Sequence, residues 1–256
     1  MELFYRKYGT VGQPLLILHG LLGSSDNWAT IGKTLGEQYQ VYLIDLRNHG
    51  QSPWSEEWDY AAMSADLLDF IQAHQIENPI VVGHSMGGKV AMLFAGRYYL
   101  TKVAALVVVD IAPKYYPLHH QAIFAGLQAI DLRVLSTRQE ADAILSGHIP
   151  EADVRQFLLK NLYRNAQGGF AWRMNLQVLD RAIANVGEAF PDNLKYAGRT
   201  LFIRGAKSKY ISDEDRTVIH QYFPQAMLET IENAGHWVQA EQPQAFLACL
   251  RTFLEN

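Results

Sequence analysis

The stretch that most restricts the fold of this chain runs from Ile80 to Val90, Ile-Val-Val-Gly-His-Ser-Met-Gly-Gly-Lys-Val. An apolar run of the kind that forms a buried strand breaks into Gly83-His84-Ser85-Met86-Gly87, and a helical pattern follows at once. A strand turning directly into a helix through G-x-S-x-G is the arrangement a nucleophile elbow needs. Such a turn holds serine in a strained backbone with its hydroxyl exposed, while Gly83 and Gly87 let neighbouring backbone pass where a Cβ would clash. The helix beginning near Met86 aims its unpaired N–H groups at the space where an oxyanion would form. A Gly-rich loop without chemistry is the plain alternative.

Other stretches repeat the strand–helix unit. Leu3 to Tyr8 reads as an edge strand. Leu15 to Leu18, Val41 to Ile44, Val103 to Val109, Leu201 to Arg204 and Ala226 to Ile231 read as further strands, most of them apolar runs suited to a parallel sheet. Helical spacing follows, as in Met63, Leu67, Phe70 and Ile71, or Phe246, Leu250 and Phe253. Asp26 or Asn27 is placed to cap the first helix. These features predict an α/β fold, a doubly wound and mostly parallel sheet with its active site at the carboxyl ends of the strands.

From Tyr115 to Tyr196 the rhythm changes to helices without a convincing buried strand. Ile123, Leu127, Ile130 and Val134 form one stripe, and Thr137 to Glu140 reads as a capping box. Val154, Phe157, Leu158 and Leu162 are expected inward on a third helix, and Leu176, Leu179, Ile183 and Val186 on a last. The expectation is a core of residues 1–114 and 197–256, with a helical cap, 115–196, inserted over the strand ends. At 256 residues and 49% hydrophobic, the chain has ample core for this. Twenty-two basic against 26 acidic residues, net −4, leave no footprint for nucleic acid or an anionic membrane. No apolar run approaches the ~18 residues of a membrane span. A lone Cys249 and a start unlike a signal peptide point to a soluble, cytoplasmic protein, its oligomeric state unread.

A serine hydroxyl at its ordinary pKa is a poor nucleophile, so Ser85 needs a base and that base an orienting partner. Of nine histidines, His236 is the best placed, in a Gly-containing loop after the last strand, where a Ser…Asp…His order ends. His84 is expected to pack beside the elbow, His19 to brace an oxyanion loop and His49 to support its turn. His74, His119, His120, His148 and His220 read as surface or cap residues. The acid has three candidates. After Leu201 to Arg204, its usual place in this architecture, the chain has Ser208 instead. Asp110, ending the preceding strand, is favoured over Asp213 or Asp215, whose place at a helix start suits capping. Ser208 then reads as an extra hydrogen-bonding partner of the His236–Asp110 pair. By position, the backbone N–H groups of Leu21 and Met86 are the oxyanion donors. Trp237, Trp172, Tyr115 and Tyr116 are candidate walls of an acyl pocket, although aromatic residues serve equally as core. No residue pattern calls for a cofactor or a metal.

Taken together, the His19-Gly20 loop, Gly83 to Gly88 and Gly235-His236 resemble the α/β-hydrolase superfamily over nearly the whole chain. Asp45-Leu46-Arg47-Asn48-His49-Gly50, with Asn where relatives commonly have Gly, and Val109 to Pro113 are more specific. With Gly235 to Val238 and Glu241-Gln242-Pro243, they look like the YbfF-type bacterial esterases, whose animal relatives are mitochondrial abhydrolase-domain proteins. The resemblance implies a Ser85, Asp110, His236 constellation, with Ser208 matching a serine this group places beside it. It also implies cofactor-free hydrolysis of short acyl esters or acyl-CoA thioesters. Epoxide hydrolases and haloalkane dehalogenases share the fold but need a carboxylate where Ser85 stands. Thioesterases and C–C bond hydrolases use the same residues, and a non-catalytic ligand receptor of this fold is a further alternative.

Overall fold

The computed structural model describes residues 1–98 and 103–255. Seven strands form the main sheet: β1 (Tyr5–Tyr8), β2 (Pro14–Leu18), β3 (Gln40–Ile44), β4 (Ile80–His84), β5 (Ala105–Val109) and, after an inserted segment, two more. Their order is β1-β3-β2-β4-β5 followed by those two, and only β1 runs antiparallel to its neighbour. The unbroken apolar runs follow from this position. Successive side chains point to opposite faces, and both faces are covered. Leu16, Leu18, Val81 and Val108 join one buried cluster with helices α2 (Tyr60–Ala73) and α3 (Met86–Arg97). Leu15, Ile17, Val82 and Val107 join the other, beside α1 (Ala29–Leu35). Strand order reverses between β2 and β4, so the loops leaving their carboxyl ends diverge and open a crevice at the switch point.

The first helix begins earlier than its sequence suggests. A 3₁₀ turn, Ser25–Trp28, precedes α1, and Asn27 sits in its third position, its carboxamide accepting the Ser24 N–H at 2.8 Å. Capping therefore falls to Ser24, whose backbone is still extended, rather than to Asp26 or Asn27.

Between β5 and the sixth sheet strand the chain forms α4 (Gln121–Gln128), α5 (Arg138–Ser146), α6 (Ala152–Leu159), β6 (Leu162–Arg164), β7 (Phe170–Trp172) and α7 (Leu176–Arg181). The capping box at Thr137 and Glu140 is present at the start of α5. The hairpin β6–β7 corrects the expectation of helices alone: three-residue strands are too short to show a period, and Leu162 pairs with Trp172 instead of extending α6. Asn165 Oδ1 accepts the N–H groups of Gln167 and Gly169 and so shapes its turn. Val134 also departs from its expected stripe, because α4 ends at Gln128 and leaves it 74% exposed.

The sheet resumes with β8 (Thr200–Gly205), α8 (Asp215–Tyr222), β9 (Ala226–Ile231), the short α9 (Val238–Glu241) and α10 (Pro243–Glu255). Polar contacts tie the insertion to the rest of the fold, those of Lys89 and Asn48 among them. Lys89, on α3 and 5% exposed, donates to the carbonyls of Lys114 and Glu188, one at each end of the insertion. Burial pushes its ammonium pKa down to about 7, although the Glu188 charge opposes this. Asn48 adopts φ +65°, and its carbonyl accepts the Asn175 N–H at 2.9 Å.

Candidate active site

Ser85 lies where β4 meets α3, with φ +52° and ψ −119°, a region that costs a non-glycine residue of order 1–3 kcal/mol. A Cβ at position 83 would come within 2.2 Å of the Gly87 carbonyl oxygen, so only glycine lets the strand and helix close this tightly. The Ser85 N–H donates to the Val109 carbonyl at 2.9 Å, which pins the elbow to β5. From β2, the loop at Gly20 packs so closely that a Cβ there would lie 3.2 Å from Ser85 Cβ. Leu21 and Met86 thereby border the same small recess as Ser85. Among the described residues neither of their N–H groups has an acceptor. Two free donors beside an exposed hydroxyl can hold an oxyanion.

Asp110 ends β5 in a second strained conformation, φ +53°, and is wholly buried. Its N–H donates to the Ile203 carbonyl of β8, the last bond of the β5–β8 ladder, and its side chain reaches the loop after β8. The carboxylate accepts the His236 Nδ1–H at 2.7 Å, the Gly205 N–H at 3.1 Å and the Ser208 hydroxyl. Three donors around one buried carboxylate satisfy the desolvated charge. Because Nδ1 donates, Nε2 is left as the acceptor, and His236 lines the same cavity as Ser85. The Ser85 hydroxyl itself makes no hydrogen bond to a described residue.

The other acids are engaged elsewhere. Asp213 is 79% exposed and pairs with Arg204 at 2.8 Å. Asp215 accepts from Lys114 at 2.6 Å and from Ser212. Glu241, noted in the sequence only as part of a motif, accepts the N–H groups of Gly235 and Trp237 and so clamps the His236 loop on both sides.

A cavity of about 280 Å³ opens beside Ser85 and His236, walled by Ile123, Val154, Phe157 and Leu158 of the insertion and by Trp237. Two expected walls lie elsewhere. Trp172, on β7 opposite Leu162, borders a separate cleft with Gly50, Ser52 and Trp54. Tyr115 is 64% exposed, because the chain turns there and its neighbour Tyr116 faces the recess beside Ser85. His119 and His120, read from sequence as surface or cap residues, line the cavity. Nothing in local sequence shows which way a loop residue of an insertion points.

The remaining histidines of the site are scaffold. His19 Nδ1–H donates to the Gly20 carbonyl at 2.8 Å and its Nε2 accepts the Leu46 N–H at 3.0 Å, so the neutral ring satisfies both nitrogens. His84 Nε2–H donates to the His236 carbonyl at 2.8 Å, and His49 Nδ1–H to that of Arg47 at 2.9 Å. Burial pushes His19 down to about 4, and His49 and His84 to about 3. The unfolded chain takes up protons at each near pH 6.5 that the folded one refuses, so stability must fall as pH drops from about 6.5 toward 4. Each ring contributes on the order of 1 kcal/mol per pH unit in that window. Urea midpoints are therefore expected to fall gently from pH 8 to 7, where buried Lys89 alone of these groups refuses a proton, and to drop much more steeply from pH 6.5 to 5. A midpoint unchanged at pH 5 would contradict neutral scaffold histidines.

Comparison with known proteins agrees with this architecture. Residues 13–243 match the family model described as the alpha/beta hydrolase fold. The chain is 38% identical over 246 residues to esterase YbfF of Escherichia coli (strain K12), covering 95% of this chain and 93% of that protein. It is 39% identical over 269 residues to the sn-1-specific diacylglycerol lipase ABHD11 of Xenopus laevis, covering 100% of this chain and 85% of that one. Among solved structures, a marine microorganism esterase superposes with a TM-score of 0.95 at 41% identity, covering 98% and 99% of the two chains. With the elbow, the switch-point crevice and these relatives in agreement, the chain belongs to the α/β-hydrolase family.

Proposed function

We propose that this protein hydrolyses carboxylic esters of short acyl chains through an acyl-enzyme on Ser85. One observation carries the reading: His236 donates its Nδ1–H to the buried Asp110 and so keeps Nε2 free to take a proton in the cavity it shares with Ser85. In the first half-reaction Ser85 Oγ bonds to the ester carbonyl carbon and its proton passes to His236 Nε2. The N–H groups of Leu21 and Met86 hold the tetrahedral oxyanion, at about 3–4 kcal/mol per donor in well-studied enzymes. The C–O bond to the alcohol then breaks, and His236 gives the departing oxygen its proton. In the second half-reaction water attacks the acyl-enzyme with His236 as base, the carboxylic acid leaves and Ser85 regains its proton. Asp110 stabilises the imidazolium in both, and Ser208 helps hold the pair.

Two cavities support the substrate class. The recess between Leu21, Met86, Ile111 and Tyr116 measures about 20 Å³, room for a methyl-sized group. The larger cavity on the His236 side, walled by Ile123, Phe157 and Trp237, suits an apolar alcohol. Residues 115–196 act as the cap that supplies those walls, with Lys89 fastening both its ends. No described helix is long and apolar enough to cross a membrane. A cytoplasmic setting and a small soluble ester are part of the proposal.

Treatment with a fluorophosphonate is expected to add one phosphonyl group to the peptide containing Ser85 and to stop hydrolysis of p-nitrophenyl acetate. An unlabelled chain that hydrolyses no ester would instead favour a ligand receptor. p-Nitrophenyl acetate is expected to outrun the octanoate.

A further inference from the structure

The Tyr210 ring lies flat on the His236 imidazole, centroids 3.9 Å apart and planes 17° apart. Three polar contacts hold it there, one of them through His119. Its phenol meets His119 Nε2 at 2.8 Å, and His119 Nδ1 meets the Pro117 carbonyl at 3.1 Å. A carbonyl only accepts, so Nδ1 carries the proton, Nε2 is the acceptor and the phenol donates to it. The Tyr210 N–H donates to Ser208 Oγ at 3.2 Å, and its carbonyl accepts the Tyr116 hydroxyl at 2.5 Å. The loop that carries Ser208 in place of an acid therefore supports both members of the pair, Asp110 through Ser208 and His236 through Tyr210.

We propose that Tyr210, held by His119 from the inserted segment, is a positioning residue that fixes the His236 ring and stabilises its imidazolium. It rests on the acyl-enzyme reading above. His236 becomes a cation each time it takes a proton from Ser85 or from water, and an aromatic face attracts a cation. A phenol that donates its proton to His119 carries more electron density on its ring, which strengthens that attraction. Among the groups packed against His236, the charge comes from Asp110 at Nδ1. The His84 ring packs at 4.8 Å, and Trp237 at 6.3 Å is neutral. Burial keeps His84 uncharged, with its pKa near 3, and His120, at about 4, likewise.

The test is a set of kcat/KM profiles against pH with p-nitrophenyl acetate. Tyr210→Leu, which removes the stack, is expected to lower kcat/KM about tenfold and to move the acid limb of the profile to lower pH by roughly half a unit. The sign follows because a less stabilised imidazolium gives up its proton at lower pH. Tyr210→Phe keeps the stack and loses the hydrogen bond, for a loss of about threefold. His119→Ala should cost about the same, and the double variant no more than either single one. An unmoved acid limb in Tyr210→Leu, or additive losses in the double variant, would overturn the proposal. Thermal melts of the two single variants exclude misfolding, since Tyr210→Phe preserves the packing. Loss of parent activity in Ser85→Ala tests the underlying reading separately, because it is independent of every Tyr210 variant.

Discussion

Replacing Ser85 by alanine is expected to lower kcat for p-nitrophenyl acetate by about a millionfold while leaving the protein folded. The size of the loss comes from the role rather than from packing. Without Oγ no acyl-enzyme forms, so His236, Asp110 and the two oxyanion donors have no nucleophile to serve, and their removal in addition would cost little more. Stability should change little, because the hydroxyl makes no hydrogen bond to a described residue and is partly exposed to the cavity. The strained φ of +52° is imposed by the elbow, and alanine bears it no better and no worse than serine. Turnover at the parent rate, or a fluorophosphonate adduct retained in the variant, would show that the nucleophile lies elsewhere. The measurement pairs initial rates with intact-protein mass.

Much of this was legible before any coordinates. Central parallel strands are buried on both faces, so β2, β4 and β5 appear as unbroken apolar runs, and each is followed by turn residues of the candidate site. The elbow is legible for the same reason, since Gly83 and Ser85 mark a strand end and not merely a motif. Where physical information is non-local, the sequence shows less. The β6–β7 hairpin is fixed by pairing across a turn and by packing on the insertion, not by any period within three residues. Trp172 and Tyr115 are aromatic and near the right region, yet neither faces the Ser85 cavity, because a side chain's direction depends on strand and loop geometry. His119 shows the converse. Its partner Tyr210 lies far along the chain, and only the return of the insertion to the loop after β8 brings the two together.

Asp110 posed the sharpest choice, because sequence order alone leaves an acid at two strand or helix ends within reach of His236. The topology narrows it: β5 lies between β4 and β8, so an acid at its end stands between Ser85 and the loop holding Ser208. Asp110→Asn is accordingly expected to lower kcat by about 10⁴-fold. Asparagine matches the carboxylate in shape, so the fold should survive, but its amide can donate to His236 Nδ1. The imidazole would then carry its proton on Nε2 and could not accept one from Ser85. The same change also removes the charge that stabilises the imidazolium. Asp213→Asn, by contrast, breaks an exposed pair with Arg204, an interaction worth at most about 1 kcal/mol of stability, and should leave kcat within about twofold. Ser208→Ala should fall between them, since Asp110 keeps its bonds from His236 and Gly205 when that hydroxyl is lost. A collapse of kcat in Asp213→Asn, with Asp110→Asn near the parent rate, would move the orienting acid to the approach to α8 and require the His236 loop to swing away from β5.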